Sequence, residues 1–126
     1  MPEITLNHTI VYCRDNLAAA QFYVRVFGFE FVKEWGHFAV VKVNSSLTLD
    51  FMARQHFTPQ HYAFKVSDTE FDTIIAHLQA KSVPYGSSPS DLNSGVHNNL
   101  YGGRGAYFAD PDGHVLEIIT HDYELD

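Results

Sequence analysis

Cysteine is nearly absent. Cys13 stands alone, so no internal disulfide can form. Its neighbours Ile10, Val11 and Tyr12 place it at the end of a strand, where a lone thiol reads as a small core residue. Basic residues are scarce too: eight Lys and Arg against fifteen Asp and Glu leave a formal net charge of −7. That balance argues against nucleic acid and against an anionic membrane as partners, since both need a basic surface. No apolar run reaches the length of a membrane span and no charged-then-apolar leader opens the chain, so a soluble, cytoplasmic protein is expected. Neither a Gly-x-Ser-x-Gly elbow nor a Ser-His-Asp order occurs, which leaves nucleophilic hydrolysis without support. The glycine run around Arg104 precedes a strand instead of a helix, so a phosphate loop has little support either.

What is present fits one compact domain over residues 1–126, with 45% hydrophobic and 14% aromatic residues to fill a core. Periodicity predicts a strand over 4–13, then a helix capped by Asp15 and ended by Gly28, with Leu17, Ala20, Val24 and Phe27 on its inner face. Strands over 30–35, 38–43 and 47–53 follow, separated by Gly36 and by Asn44-Ser45-Ser46. The second half restarts the pattern. A strand over 61–66 leads to a helix capped by Asp68 with Phe71, Ile74, Ile75 and Leu78 inside. A short strand begins at Pro84, and strands over 104–109 and 114–120 are joined by Asp110-Pro111-Asp112-Gly113. Between these lies the polar stretch 86–103, too hydrophilic for core and long enough to suggest a functional loop. The sequence thus reads as two βαβββ modules, about 4–54 and 60–121. His8 and His61 recur at the same offset as Asp15 and Asp68.

Strand alternation sorts the ionisable residues by face. Val11, Cys13, Leu49, Phe51, Tyr62, Phe64, Leu116 and Ile118 point to the helix-covered side. His8, Asp50, His61 and Glu117 therefore point away from it, among aliphatic companions such as Ile10, Val115 and Ile119. A carboxylate among such neighbours costs desolvation energy unless it is paired or metal-bound. Any one of the four alone is better read as an exposed residue on a one-sided sheet; all four in a twofold pattern favour a site for one divalent ion. Imidazole with carboxylate suits Fe, Mn, Ni, Zn or Co. His114 beside the turn reads as structural, and His56, His77 and His121 as surface residues. His97 is a minor candidate for a cavity mouth. Arg104 is poised evenly between meeting an anionic substrate group and a surface ion pair.

The segments Leu6-Asn7-His8-Thr9-Ile10-Val11, Gln60-His61-Tyr62-Ala63-Phe64-Lys65-Val66 and Asp110-Pro111-Asp112-Gly113-His114-Val115-Leu116-Glu117-Ile118-Ile119 resemble the vicinal oxygen chelate superfamily. That group includes glyoxalase I, extradiol dioxygenases, fosfomycin-resistance enzymes and bleomycin-binding proteins. The resemblance covers nearly the whole chain. It implies an α+β fold whose two modules form a curled mixed sheet around a metal-floored cavity. His8, His61 and Glu117 fall on the family's ligand positions, and Asp50 falls where glyoxalase-like members place a carboxylate. Asp is about 1.5 Å shorter in reach than Glu, so direct ligation by Asp50 is less firmly implied, with a metal-bound water as the alternative. The implied activity is a metal-dependent, redox-neutral proton transfer or addition on a small substrate chelated through vicinal oxygens, with Glu117 or Asp50 moving the proton. Extradiol-type oxygen chemistry, a non-catalytic binding or resistance protein, and a ligand-sensing regulator are the alternatives. Open sheet edges and the habits of relatives lead us to expect a homodimer.

Overall fold

The computed structural model describes residues 3–122. The chain divides after Thr58 into two compact units. In the first, strand β1 (His8–Cys13) leads into helix α1 (Asn16–Phe27), then β2 (Glu30–Trp35), β3 (Phe38–Lys42) and β4 (Thr48–Ala53). The sheet order is β1-β4-β3-β2, with β1 parallel to β4 and the other neighbours antiparallel. Asp15 caps α1 by accepting the Ala18 amide at 3.1 Å. Gly28, at φ 80°, closes it in the left-handed conformation that a side chain would resist.

The inner face of α1 is rotated from the predicted one. Ala19, Ala20, Tyr23 and Val26 are buried, whereas Leu17 is 41% exposed. The Tyr23 ring explains the rotation. It packs 4.8 Å from Phe51, and the alanines let the helix approach the sheet closely. Val11, Cys13, Ala39, Val41 and Leu49 complete this core.

The second unit comprises β5 (His61–Lys65), α2 (Asp68–Ala80), a 3-10 turn (Leu100–Gly102), β6 (Gly105–Ala109) and β7 (Val115–Ile119). Its sheet order is β5-β7-β6, with β5 parallel to β7. Ser67, not Asp68, caps α2 through a reciprocal capping box with Glu70. The caps of the two helices are therefore not at the same offset as the two histidines. Phe71, Ile74 and Leu78 are buried against a core that includes Ala106, Phe108, Leu116 and Ile118. The short strand expected from Pro84 is reduced to one bridge, Gly86 to Tyr107. Pro84 has no amide to donate, and the chain turns back at once through Ser88 and Asp91.

Two α-plus-sheet modules are therefore present, but the expected curled mixed sheet around a metal-floored cavity is not. The strands form two separate sheets, of four and three strands, and neither closes on itself. Among the described residues no helix is long and apolar enough to cross a membrane.

Candidate functional site

The parallel pairing of β5 with β7 places His61 opposite Val115 and Ala63 opposite Glu117. His61 consequently reaches both its partner's carbonyl and the carboxylate one pleat further on. Its Nδ1 lies 2.9 Å from the Val115 carbonyl oxygen and its Nε2 lies 3.0 Å from Glu117 Oε1. Glu117 is 4% exposed, and His61 is its one side-chain partner among the described residues. Tyr107, opposite Glu117 on β6, stacks its ring on His61 with centroids 6.1 Å apart.

Both ring nitrogens of His61 face acceptors. A carbonyl oxygen can only accept, so Nδ1 carries a proton, and a neutral ring then turns the Nε2 lone pair onto a carboxylate. That contact is repulsive unless a positive charge sits between the two. The charge is either a proton shared by the two groups or a metal ion. A ligand histidine whose other nitrogen donates to a backbone carbonyl is the usual arrangement around a metal. A half-exposed imidazole beside a buried carboxylate therefore fits a divalent cation as two of its ligands.

The same register recurs in the first unit. β1 pairs with β4 so that His8 stands opposite Thr48 and Ile10 opposite Asp50, and Asp50 relates to His8 as Glu117 does to His61. The side chains do something else there. His8 Nδ1 lies 2.8 Å from Asn7 Oδ1, and Asp50 Oδ1 accepts from the Thr48 hydroxyl at 3.0 Å. Asp50 is 9% exposed and lines a cleft of about 390 Å³ together with Asn7, His8, Lys33, Trp35, Val40 and Thr48. The four sequence candidates are thus found as two pairs on equivalent strands, one in contact and one not. Among the described residues no three His, Cys, Asp or Glu side chains form a group able to hold a metal ion, which overturns the metal-floored cavity.

Asn7, Thr48, Tyr107 and the Val115 carbonyl were missed in the sequence. Thr48 and Val115 each precede a candidate carboxylate by two residues, which is the signal that could have found them. His114 is 1% exposed and structural: its Nδ1 accepts the Gln60 amide at 2.8 Å. His97 lies edge-on to Phe71 within its own unit. Arg104 donates to Asp72 at 2.7 Å and to Asp68 at 3.1 Å, with its guanidinium over the Phe71 ring.

The sequence matches the Glyoxalase/Bleomycin resistance protein/Dioxygenase superfamily over residues 5–118. The chain belongs to that superfamily. Among solved structures it is similar to oxidase ChaP-H2, with 41% identity, TM-score 0.91 and 97% of each chain covered. It is also similar to oxidase ChaP-H1, with 42% identity, TM-score 0.89, and 95% of this chain and 98% of that one covered. Glutathione transferase FosA of Serratia marcescens is 28% identical over 122 residues, which are 90% of this chain and 79% of that protein. Superfamily membership and these likenesses support an enzymatic or small-molecule-binding role.

Proposed function

We propose that this superfamily member is a metal-dependent oxidase that uses molecular oxygen on a small substrate presenting adjacent oxygen atoms. One observation carries the metal reading: both nitrogens of His61 face acceptors, one of them the buried Glu117 carboxylate. His61 and Glu117 would hold the ion. The likeness to two oxidases at 41–42% identity over nearly the whole chain favours an oxidative reaction over the redox-neutral transfer expected from the sequence. The weaker likeness to a glutathione transferase keeps that transfer as the second reading.

A divalent ion of the Fe, Mn, Co, Ni or Zn group, when bound, would supply Lewis acidity to a substrate oxygen, and Fe or Mn would add access to one-electron chemistry. Within the protein, the Val115 carbonyl fixes the His61 tautomer and aims Nε2. The aliphatic neighbours of Glu117 keep water from its carboxylate. Asp50, whose other oxygen is not hydrogen-bonded, is suited to take a substrate proton. The edge strands β1, β2, β5 and β6 favour a homodimer as the working form, which light scattering checks.

The test is metal analysis of protein purified without a chelating tag, followed by oxygen-electrode assays on catechols with each ion restored. We expect about one ion per chain and oxygen uptake that disappears in His61→Ala and Glu117→Ala. Parallel analysis of His8→Ala and Asp50→Ala reads out whether the first unit contributes ligands. Equal Co²⁺ binding by the parent protein and His61→Ala would overturn the metal reading. Metal binding with glutathione addition and no oxygen uptake would promote the second reading.

A further inference from the structure

The cleft of the first unit contains three features that the fold does not require. Trp35, the chain's one tryptophan, is 64% exposed at the end of β2. Lys33, two residues earlier on the same face, holds its ammonium 6.0 Å from the indole centroid and has no ion-pair partner among the described residues. Asp50 is nine-tenths buried, yet only its Oδ1 is hydrogen-bonded. No buried side-chain oxygen or nitrogen among the described residues lacks a partner, so the free Oδ2 keeps its access through the cleft that the residue lines.

Strand register explains why Lys33 and Asp50 do not neutralise each other. Lys33 pairs with Val40, and Val40 pairs with Asp50, so the two charges lie two strands apart in one cross-strand row. Neighbouring strands are about 4.8 Å apart, which puts the two backbones roughly 10 Å apart with Val40 as an apolar floor between them. The cleft therefore presents a hydrogen-bond acceptor at one side, a cation at the other, an aliphatic base and an exposed indole face. Its volume of about 390 Å³ lies within the usual span of small-molecule pockets, about 300–1,000 Å³.

We propose that this cleft binds a planar hydroxyarene that also bears an anionic or carbonyl oxygen. The hydroxyl donates to Asp50 Oδ2, the acceptor oxygen takes the Lys33 ammonium, and the ring system lies over Val40 with a face or edge on Trp35. An aliphatic anion would satisfy Lys33 alone, and a simple arene would satisfy Trp35 alone. Only a ligand with both polar ends and a flat body uses all three. The site stands on the first unit by itself and does not depend on an ion at His61 and Glu117.

Because Trp35 is the one tryptophan, its emission reports directly on the cleft in the full-length protein. The probe is 6-hydroxy-2-naphthoate, with 2-naphthol lacking the carboxylate and 6-methoxy-2-naphthoate lacking the donor, each titrated with chelator and again with added metal. Quenching should saturate. Calorimetry should show Lys33→Gln weakening the hydroxynaphthoate about tenfold, the scale of one charge-assisted hydrogen bond, while leaving 2-naphthol unchanged. Trp35→Ala should weaken both. Asp50→Asn should erase the preference for hydroxy over methoxy. Lys33 and Trp35 are exposed, so their variants test the site without disturbing the core. Absence of saturable quenching, or equal affinity of the hydroxynaphthoate for the parent, Lys33→Gln and Trp35→Ala, would overturn the proposal. Saturable binding without oxygen uptake would leave this site standing and count against the oxidase reading alone.

Discussion

Arg104 and Asp72 form the tightest ion pair among the described residues of the second unit: Nη1 lies 2.7 Å from Oδ1, and the same guanidinium lies 4.3 Å from the Phe71 centroid. Arg104 precedes β6 and Asp72 lies in α2, so the contact ties helix to sheet. Asp68 and Asp72 are both largely exposed, so each ion pair contributes only a few tenths of a kcal/mol. The ring contact adds about 0.5–1 kcal/mol. Arg104→Ala should cost about 1–2 kcal/mol and lower the thermal midpoint by several degrees. Arg104→Lys should recover less than half, because an ammonium cannot fork between two carboxylates and cover a ring together. A midpoint unchanged in Arg104→Ala by circular dichroism would show that the helix docks without this contact.

The 86–95 loop is organised around Asp91. Its carboxylate accepts from the Ser94 and Ser87 hydroxyls and from both of their amides. Ser94's hydroxyl first, and then the Ser87 amide and hydroxyl, hold the Asp91 carboxyl well below the ordinary carboxylate range. A carboxyl depressed in the folded state contributes stability that is complete above its unfolded pKa, about 3.9, and is lost as pH falls from there toward the folded value. Hydrogen-exchange protection of the Ser87 and Ser94 amides should therefore persist at pH 5 and decline below pH 4. Asp91→Asn should lose it at both. Protection independent of pH and of the substitution would mean that other bonds hold the loop.

Gly86 makes the bridge to Tyr107 where a fourth strand was expected. A Cβ at this position would overlap the Asp91 carbonyl, which is backbone and cannot swing aside. Gly86→Ala should destabilise the protein by about 1–3 kcal/mol, the usual cost of overpacking, and should raise exchange at the Tyr107 amide. An unperturbed Tyr107 amide would sink this account of the missing strand.

The strands were legible in the sequence because alternation is strict wherever one face is buried. Leu49 and Phe51 against Asp50, and Leu116 and Ile118 against Glu117, assign those faces without coordinates. Three features were hidden. The rotation of α1 depends on Tyr23 finding Phe51, a contact that helical periodicity alone does not specify. The cap of α2 lay one residue from the expected one because Ser67 and Asp68 are both good caps, and only Ser67 has Glu70 at the third helical position to complete the box. The ligand set was read from positions alone, whereas contact depends on reach and on competitors. Glu117 meets His61, while the shorter Asp50 is taken by Thr48 and His8 by Asn7.

The substitution that best separates a metal pair from a structural ion pair is Glu117→Gln. Without metal, the buried Glu117 carboxyl meets His61 only through a proton held between them. Removing one partner of a buried ion pair is destabilising when it strands the other charge, and a neutral His61 leaves no charge stranded. The glutamine amide is isosteric, and its N–H can donate to the Nε2 lone pair of a neutral His61 while Nδ1 still donates to Val115. We expect the thermal midpoint of Glu117→Gln in chelator to equal or exceed that of the parent protein, and Co²⁺ affinity to fall by about two orders of magnitude or more, because an anionic ligand has been lost. A purely structural pair predicts the opposite in both measurements: a lower midpoint in chelator and the same weak Co²⁺ binding before and after substitution.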